Sequence, residues 1–429
     1  MLHEWMNWVS SLRTDQILAT LGILLLIDAP RYAGSALLMV LVDVLPLRRR
    51  RSQAADGAPQ PQYSYCPQVT ILIAGHNEAD TIAQTMASVW TRYPHLELIV
   101  VDDGSTDGMT RTALDFAAGR SGILVLRRAE RGGKYSALNL GLLYATSEIV
   151  VTVDADSRIS DNAIYGIIQP LQDPETAAVS ANVMAWNPFA SLAAMLQAYE
   201  YRQTIFVSRM VRGRSSLLGI VSGAFGAFRT DVLKQLGGWD VGPGEDGDLI
   251  LRLRKAGFRI GNAPAASCYT NVPVSWYRLF RQRCRWDRTV ITFECRKHGD
   301  LGCPWSRNFR WSNFLMLLER WTFNVVCVYT FWLYGIWLLL AFPASTLRLL
   351  PLLYCCGLCI ELLQLLALLF YSDRPKQDLI LATVLPLYPI YQVYLKLVDL
   401  IALTNEIVFR SSTRDNFVPA HVREVTWHW

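Results

Sequence analysis

Charged residues are scarce in this 429-residue sequence: Asp, Glu, Lys and Arg make up 18% of it, whereas hydrophobic residues make up 52%. Soluble globular chains typically carry about 25% charged residues. This composition excludes a disordered or fibrous chain. Because the apolar excess lies towards both ends, while residues 52–310 have the composition of a soluble domain, we expect an integral membrane protein with a globular middle.

A marked surplus of basic residues is also missing. The 41 Lys and Arg residues stand against 36 Asp and Glu, which gives a formal net charge of +5. The basic residues cluster beside apolar segments and do not form one stripe. We therefore expect no nucleic-acid partner.

Cysteine spacing typical of disulfides or metal sites is absent as well. The nine cysteines include a single CxxC pair, Cys356 and Cys359, which lies inside an apolar run. A zinc or redox site would lack polar surroundings there. We expect reduced cysteines that contribute to packing.

The N-terminal apolar segment, residues 17–47, is long enough for one tilted membrane crossing. Glu4 stands where a signal peptide has basic residues, so we expect a retained anchor. The basic run at 48–51 places the following domain in the cytoplasm. The predicted divisions are a membrane anchor (1–51), a cytoplasmic domain with interfacial helices (52–310), transmembrane helices (311–411) and a tail (412–429).

Further membrane spans are expected after the middle domain. Residues 321–342 and 349–371 are strong candidates, and residues 379–397 are a weaker one because Pro386 and Pro389 would kink the helix. The basic tail favours a cytoplasmic C-terminus, which conflicts with four crossings from an outside start.

Strand-like and helix-like segments alternate in the middle domain. Strands are predicted at residues 68–74, 97–101, 122–126 and 148–153, and helices at residues 78–91, 107–118 and 134–146. Such βαβ units build a doubly wound, mostly parallel α/β sheet with helices on both faces. Ligands bind beyond the carboxyl ends of its strands, so we expect the functional site at that edge.

Polar residues follow three of these strands. They are Asn77 and Glu78 after the first strand, Asp102 and Asp103 after the second, and Asp154 and Asp156 after the fourth. Taken singly, Asn77 and residues 102–107 are more often turn or helix-cap residues. Their gathering at one edge favours a binding site.

Asp154 and Asp156 indicate the chemistry most directly. In an extended stretch, residues i and i+2 point to the same side, so two carboxylates can share Mg²⁺ or Mn²⁺ together with substrate phosphates. Lys134 follows Gly132 and Gly133 at a predicted helix start, where it can add charge and backbone N–H groups for a phosphate. A nucleotide diphosphate suits this set.

Three later segments have a structural interpretation beside a functional one. Glu245 and Asp246 follow a glycine-rich loop at a helix start, where the helix dipole favours acidic residues in any protein. Trp286 lies in a basic segment near the membrane, where a lone Trp is usually an interfacial anchor. Residues 187–212 predict either a core helix or a helix lying against the membrane.

The motifs together resemble the processive branch of glycosyltransferase family 2, which includes cellulose, hyaluronan, chitooligosaccharide and poly-N-acetylglucosamine synthases. They are, in order, Asn77-Glu78, Asp102-Asp103, Gly133-Lys134, Asp154-Ala155-Asp156, Glu245-Asp246 and Gln282-x-x-Arg285-Trp286. The resemblance implies a GT-A-type domain flanked by transmembrane and interfacial helices at the inner membrane. It also implies an inverting enzyme that polymerises a β-linked polysaccharide from UDP-glucose or UDP-N-acetylglucosamine and moves it across the membrane.

The resemblance further implies a role for each motif residue. Donor binding would fall to Asn77, Glu78, Asp103, Lys134, Asp154 and Asp156, with Mg²⁺ or Mn²⁺ held by Asp154 and Asp156. Asp246 would be the general base, and the acceptor end would be held by Glu245, Gln282, Arg285 and Trp286. The implied partners are the UDP-sugar, the growing polysaccharide, membrane lipids and an accessory membrane subunit. Gly244 departs from the pattern, since the family often has Thr or Ser there.

Two other functions stay open. A non-processive transferase that puts one sugar on a polyprenyl phosphate shares the sheet and the Asp154-x-Asp156 motif, but it generally lacks the Gln282-x-x-Arg285-Trp286 motif. A transporter or receptor with a soluble binding module does not need a base such as Asp246.

Overall fold

The computed structural model describes Ser11 and residues 29–50, 65–90, 93–240, 244–415 and 418–426. Residues 17–28 of the predicted N-terminal crossing lie outside the described residues. The described strands are β1 (Val69–Gly75), β2 (Leu96–Asp102), β3 (Ile123–Arg127), β4 (Ile149–Asp154), β5 (Arg158–Ile159), β6 (Thr176–Ala185), β7 (Phe225–Arg229) and β8 (Arg259–Thr270).

The described α-helices extend from the N-terminal segment to the tail. They are α1 (Ser35–Arg50), α2 (Ile82–Val89), α3 (Met109–Ala117), α4 (Lys134–Tyr144), α5 (Ala163–Ile168), α6 (Leu192–Tyr201), α7 (Ser208–Arg214), α8 (Thr230–Gln235), α9 (Glu245–Ala256), α10 (Trp276–Thr289), α11 (Trp311–Trp321), α12 (Cys327–Ala341), α13 (Pro343–Tyr371), α14 (Pro375–Leu381), α15 (Tyr388–Phe409) and α16 (Ala420–Thr426). The alternation predicted from β1 to β4 is confirmed.

One mixed sheet forms the centre of the middle domain, in the strand order β3-β2-β1-β4-β7-β6-β8-β5. The first four strands in this order are parallel, as predicted. Strand β7 then runs antiparallel between β4 and β6, β8 is parallel to β6, and β5 is antiparallel to β8. The sheet is thus an α/β sheet whose parallel half matches the expected doubly wound pattern.

The pairing register aligns the carboxyl ends of the parallel strands. Gly75 at the end of β1 lies opposite Asp102 of β2. Ala74 lies opposite Asp154, the last residue of β4. The loops that follow these strands therefore leave the sheet side by side, at the edge where ligands bind in folds of this type.

Strand β1 divides its side chains between two hydrophobic cores. Val69, Ile71 and Ile73 belong to the core on one face of the sheet. Leu72 and Ala74 belong to the core on the other face. Because successive residues of a strand point to opposite faces, this strand, apolar except for Thr70, packs against helices on both sides. Full burial of each large apolar side chain contributes about 1.5–3 kcal/mol.

Three described helical segments are long and apolar enough to cross a membrane. They are Trp311–Ala341, Pro343–Tyr371 and Pro375–Phe409. The first covers the predicted span 321–342 except for its last residue, and the second contains the predicted span 349–371. In the third, a short 3-10 segment around Pro386 interrupts the helix where a kink was predicted, and α15 then continues to Phe409.

Residues 187–212 contain the core helix that was one of the two interpretations left open by the sequence, and a position against the membrane stays a prediction. Helices α6 and α7 are joined by a π-helical turn; α6 is largely buried, and in α7 Arg209 and Met210 are buried. They pack in one cluster with residues of the candidate membrane helices, and the rings of Tyr199 and Tyr388 lie 4.9 Å apart. The segment is therefore a core helix that also joins the sheet domain to the candidate spans.

A buried ion pair holds this junction. Arg202, at the end of α6, donates from Nε and Nη2 to the two carboxylate oxygens of Asp378, at 2.7 and 2.8 Å. Their side chains are only 4% and 2% exposed. A buried charge that loses its partner is strongly destabilising.

We expect Asp378→Asn to lower the free energy of unfolding by about 3–5 kcal/mol, since Arg202 would keep a buried charge without its bidentate partner. Asp43→Asn is the matched control, because Asp43 pairs with Arg214 at 2.7 Å but the two side chains are 28% and 51% exposed. The control should lose no more than about 1 kcal/mol. Unfolding in detergent micelles measures both variants, and equal losses would contradict the importance of burial.

Candidate active site

Lys134 lies at the centre of the candidate site. It is the first residue of α4, and its ammonium group pairs with the carboxylate of Asp154 at the end of β4. The same ammonium lies 3.7 Å from Oε1 of Glu245, the first residue of α9. Burial alone would lower the pKa of Lys134, but the carboxylates of Asp154 and Glu245 raise it above its ordinary value. Lys134 therefore stays charged.

Asp246 lies beside this cluster in a fixed orientation. Gly223 donates its N–H to Oδ2 of Asp246 at 3.1 Å, and Gly247 donates to Oδ1 at 2.8 Å. A Cβ at Gly223 would lie 2.9 Å from Nζ of Lys134 and 3.4 Å from Oδ2 of Asp246. Gly223 therefore lies next to both side chains, and the structure brings together motifs that lie more than 100 residues apart in the chain.

The pair Asp154 and Asp156 does not have the extended geometry that the sequence predicted. Strand β4 ends at Asp154, and Ser157 donates its N–H to the carbonyl oxygen of Asp154 at 3.0 Å, which closes a turn. The two carboxylates still repel each other. Burial raises the pKa of Asp156 to about 6, and the charges of Asp154 and Glu78 add to the effect.

The carboxylates fit a hard divalent cation that shares its coordination with a substrate. The described residues contain no group of three or more His, Cys, Asp or Glu side chains able to hold a metal ion by themselves. Mg²⁺ and Mn²⁺ bind through one or two carboxylates when phosphate oxygens supply the remaining ligands. Burial and the charges of Asp154 and Glu78 raise the pKa of Asp156, and a cation held by Asp154 and Asp156 would stabilise its ionised form.

Asp103 and Asn77 have structural contacts that the sequence allowed as an alternative. Asp103 accepts hydrogen bonds from the N–H groups of Gly132 at 2.8 Å and Gly133 at 2.7 Å, so it fixes the loop that leads into Lys134. The side-chain oxygen of Asn77 accepts from the N–H of Thr106 at 2.9 Å. These contacts shape the loops after β1 and β2, and direct donor binding by Asn77 and Asp103 stays a prediction.

Helix α10 carries the third predicted group, Gln282, Arg285 and Trp286. Gln282 and Arg285 line a cavity of about 640 Å³, shared with Arg131 from the loop before α4. Oε1 of Gln282 is buried and has no hydrogen-bond partner among the described residues. Trp286 is 37% exposed. The cavity therefore lies between the Gln282-x-x-Arg285-Trp286 motif and the loop that precedes Lys134.

Most of the charged residues that line this cavity are arginines, and the sequence analysis did not predict this basic lining. Its basic lining residues are Arg131, Arg278, Arg281, Arg285, Arg288 and Arg414, against the single carboxylate of Asp415. Four of them follow a spacing of three or four residues along α10, which places them on one helix face. This spacing in the sequence could have predicted a basic helix face. The lining favours an anionic ligand.

Gly244, where the sequence departs from the resemblance, has a conformational reason to be glycine. Its φ is +112°, a left-handed conformation that other residues rarely adopt. A Cβ there would lie 2.8 Å from Cγ2 of Thr289 and 3.2 Å from the ring of Phe293. The loop that presents Glu245 and Asp246 thus packs directly on the helix that carries Trp286.

Comparison with known proteins gives two kinds of similarity. Residues 70–237 match the sequence profile of the family described as Glycosyl transferase family 2. Among curated proteins, a poly-β-1,6-N-acetyl-D-glucosamine synthase of Staphylococcus epidermidis is 28% identical over 271 residues, which are 61% of this chain and 64% of that protein. Its namesake in Staphylococcus aureus is 31% identical over 221 residues, 51% of this chain and 53% of that protein. The chain thus covers less than two thirds of either relative.

A solved structure supports the fold assignment. The mannosyltransferase PcManGT from Pyrobaculum calidifontis, in complex with GDP-Man and Mn²⁺, aligns with a TM-score of 0.58 over 92% of this chain and 98% of its own. The two sequences are 21% identical. At this identity the similarity shows the fold alone, and it agrees with the GT-A-type arrangement expected from the motifs.

The backbone conformation of Gly244 leads to a prediction about stability, which can be tested without an activity assay. Gly244→Ala should lower the free energy of unfolding by about 1–3 kcal/mol, because the new Cβ is both strained and crowded. Gly247→Ala is the matched control, since Gly247 lies in the first turn of α9 with no atom within 4 Å of a built Cβ. It should gain about 0.5–1 kcal/mol. Thermal unfolding compares the two, and a neutral Gly244→Ala would show that the loop is free to move.

Proposed function

We propose that this chain, whose residues 70–237 match the Glycosyl transferase family 2 profile, is a membrane-embedded, inverting and processive glycosyltransferase. It polymerises a β-linked polysaccharide from UDP-glucose or UDP-N-acetylglucosamine. The observation that carries the proposal is the meeting of Lys134 with Asp154 and Glu245, beside Asp246. The names of the staphylococcal relatives support a β-linked N-acetylglucosamine polymer.

The donor binds at the acidic end of the site. Mg²⁺ or Mn²⁺ at Asp154 and Asp156 would neutralise charge on the diphosphate leaving group. Lys134, fixed at a helix N-terminus, adds a permanent positive charge next to it. The arginine-lined cavity beside the loop before α4 supports binding of an anionic nucleotide as well.

The acceptor binds against α10 and α9. Asp246 takes the proton from the acceptor hydroxyl, and its carboxylate is held for this role by the N–H groups of Gly223 and Gly247. The buried oxygen of Gln282 needs a donor, and a sugar hydroxyl supplies one. The partly exposed ring of Trp286 offers a surface on which a sugar can stack.

Processive synthesis requires an acceptor that stays next to an exit route. Helix α10 packs along α15, and Tyr394 of α15 donates a hydrogen bond to the carbonyl of Trp276 at 3.1 Å. Since α15 belongs to a candidate membrane span, the acceptor residues lie on a helix attached to that span. We propose a multi-pass protein with a cytoplasmic catalytic domain that passes its product across the membrane.

Membranes containing the chain, incubated with each radiolabelled UDP-sugar and Mg²⁺ or Mn²⁺, test the proposal. We expect high-molecular-weight, glycosidase-sensitive product from one donor. Label that extracts into organic solvent would instead support transfer to a polyprenyl phosphate. Absence of metal-dependent UDP release with every donor would overturn both functions.

Asp246→Asn should reduce the transfer rate by about 10²- to 10⁴-fold, because the amide cannot accept the acceptor's proton. The Kd for UDP should stay within about twofold, since the group lies on the acceptor side. Asp231→Asn is the control, as Asp231 is an exposed acidic residue in the first turn of another helix, α8. Near-normal turnover of Asp246→Asn would reject the base assignment.

Asp156→Ala should raise the Kd for UDP in the presence of Mg²⁺ by about tenfold or more, because one of two carboxylate ligands is lost. With excess EDTA, the Kd of the variant for UDP should be similar to or lower than that of the unmodified protein, because the substitution removes a negative charge next to the phosphates. Asp161→Ala, at an exposed aspartate nearby, is the control. Titration calorimetry gives both constants, and an unchanged Mg²⁺ dependence would contradict the metal assignment.

A further inference from the structure

One lysine contacts both sides of the loop that carries Glu245 and Asp246. Nζ of Lys297 lies 2.6 Å from Oδ2 of Asp240, before the loop, and 2.7 Å from Oδ1 of Asp248, in the first turn of α9. The Lys297 side chain is 11% exposed. A single ammonium group therefore ties the two flanks of the segment 240–248 together.

The carboxylate of Asp248 is an anchor inside the protein. It is 0% exposed, and it also bonds Nε2 of His298 at 2.7 Å and Nε of Arg252 at 2.8 Å. Burial would raise its pKa, but the hydrogen bond with His298 and the charges of Arg252 and Lys297 lower the pKa below its ordinary value. Asp248 therefore stays ionised and holds α9 against the segment that contains Lys297 and His298.

Lys297 is also the last residue of a continuous helix. Helix α10 passes directly into a π-helical segment, Val290–Lys297. The middle of this helix carries Gln282, Arg285 and Trp286, and its second half contacts Gly244 through Thr289 and Phe293 as described above. The proposed acceptor residues and the contacts to the acidic loop thus lie along one continuous helical element.

We propose that Lys297 is a positioning residue that sets the placement of Asp246 relative to the acceptor held by α10. This inference rests on the proposed function, in which Asp246 is the base. Asp246 lies between the two aspartates that Lys297 holds, two residues before Asp248. A displacement of about 1 Å in a catalytic group can reduce the rate by about 100-fold, so a contact that fixes this loop affects transfer without touching the substrate.

The variant Lys297→Met removes the charge and keeps most of the side-chain volume. It leaves Asp248 bonded to His298 and Arg252, so the buried carboxylate keeps partners and the chain is expected to fold. We expect kcat to fall by about 10- to 100-fold, with the donor KM and the Kd for UDP within about twofold. Lys297→Arg, which can still reach both aspartates, should recover most of the rate.

Lys255→Met is the matched control. Lys255 lies near the end of α9 and pairs with Asp300 at 2.6 Å, in the short 3-10 segment that follows His298. It therefore links α9 to the same region of the chain, but far from Asp246 along the helix. Its kcat should stay within about twofold of the unmodified protein. An equal loss of kcat in both variants would indicate general loosening and overturn the positioning role.

Hydrogen exchange separates this inference from the proposed function. Amide exchange at residues 244–250 should be faster in Lys297→Met than in the unmodified protein and unchanged in Lys255→Met, whether or not any donor is used. Unchanged exchange in Lys297→Met overturns the inference even if the enzyme polymerises a sugar. Faster exchange in a chain that releases no UDP from any donor supports the contact while the proposed function fails.

Discussion

The candidate site depends on holding several carboxylates in a small, partly buried space. Carboxylates at such short distances repel each other, which would push their loops apart. The ammonium group of Lys134 lies between Asp154 and Glu245 and reduces this repulsion. The pKa of Asp156 still rises to about 6, mainly because of burial and additionally because of the charges of Asp154 and Glu78. The arrangement therefore favours any ligand that brings in a cation.

Helix α10, which carries the proposed acceptor residues, is fixed to the candidate membrane helices by a second set of buried charges. Arg283 of α10 donates to Oε2 of Glu200 on α6 at 2.9 Å, and the hydroxyl of Tyr391 on α15 donates to the same oxygen at 2.7 Å. Three helices therefore meet at one carboxylate. Because a buried pair is costly to break, these contacts fix α10 between the sheet domain and α15, and the proposed function would use this attachment to keep a polymer in place.

The sequence predicted the local part of the fold and missed the non-local part. The alternation from β1 to β4 depends on short-range periodicity, and the structure confirms it. The insertion of β7 between β4 and β6 depends on pairing between distant segments, for which no local pattern exists. The turn after β4 was also missed. Side-chain alternation alone predicts that the strand continues, but a backbone hydrogen bond from the N–H of Ser157 to the carbonyl oxygen of Asp154 ends it. The contact of Lys297 with Asp248 joins residues about 50 apart with no spacing rule to indicate it.

The distribution of charge also bears on how a polymerase would separate its two products. The acidic pole around Asp154 and Asp156 needs a cation, whereas the cavity along α10 has an excess of arginine. A nucleoside diphosphate with its metal interacts favourably with both poles, but a neutral sugar chain interacts with neither through charge. Under the proposed function, retention of a polymer would then come from stacking and hydrogen bonds at Trp286 and Gln282, which salt does not screen, while nucleotide binding would weaken as ionic strength rises. The two proposed products would therefore be held by different physical forces, so that one could leave while the other stays.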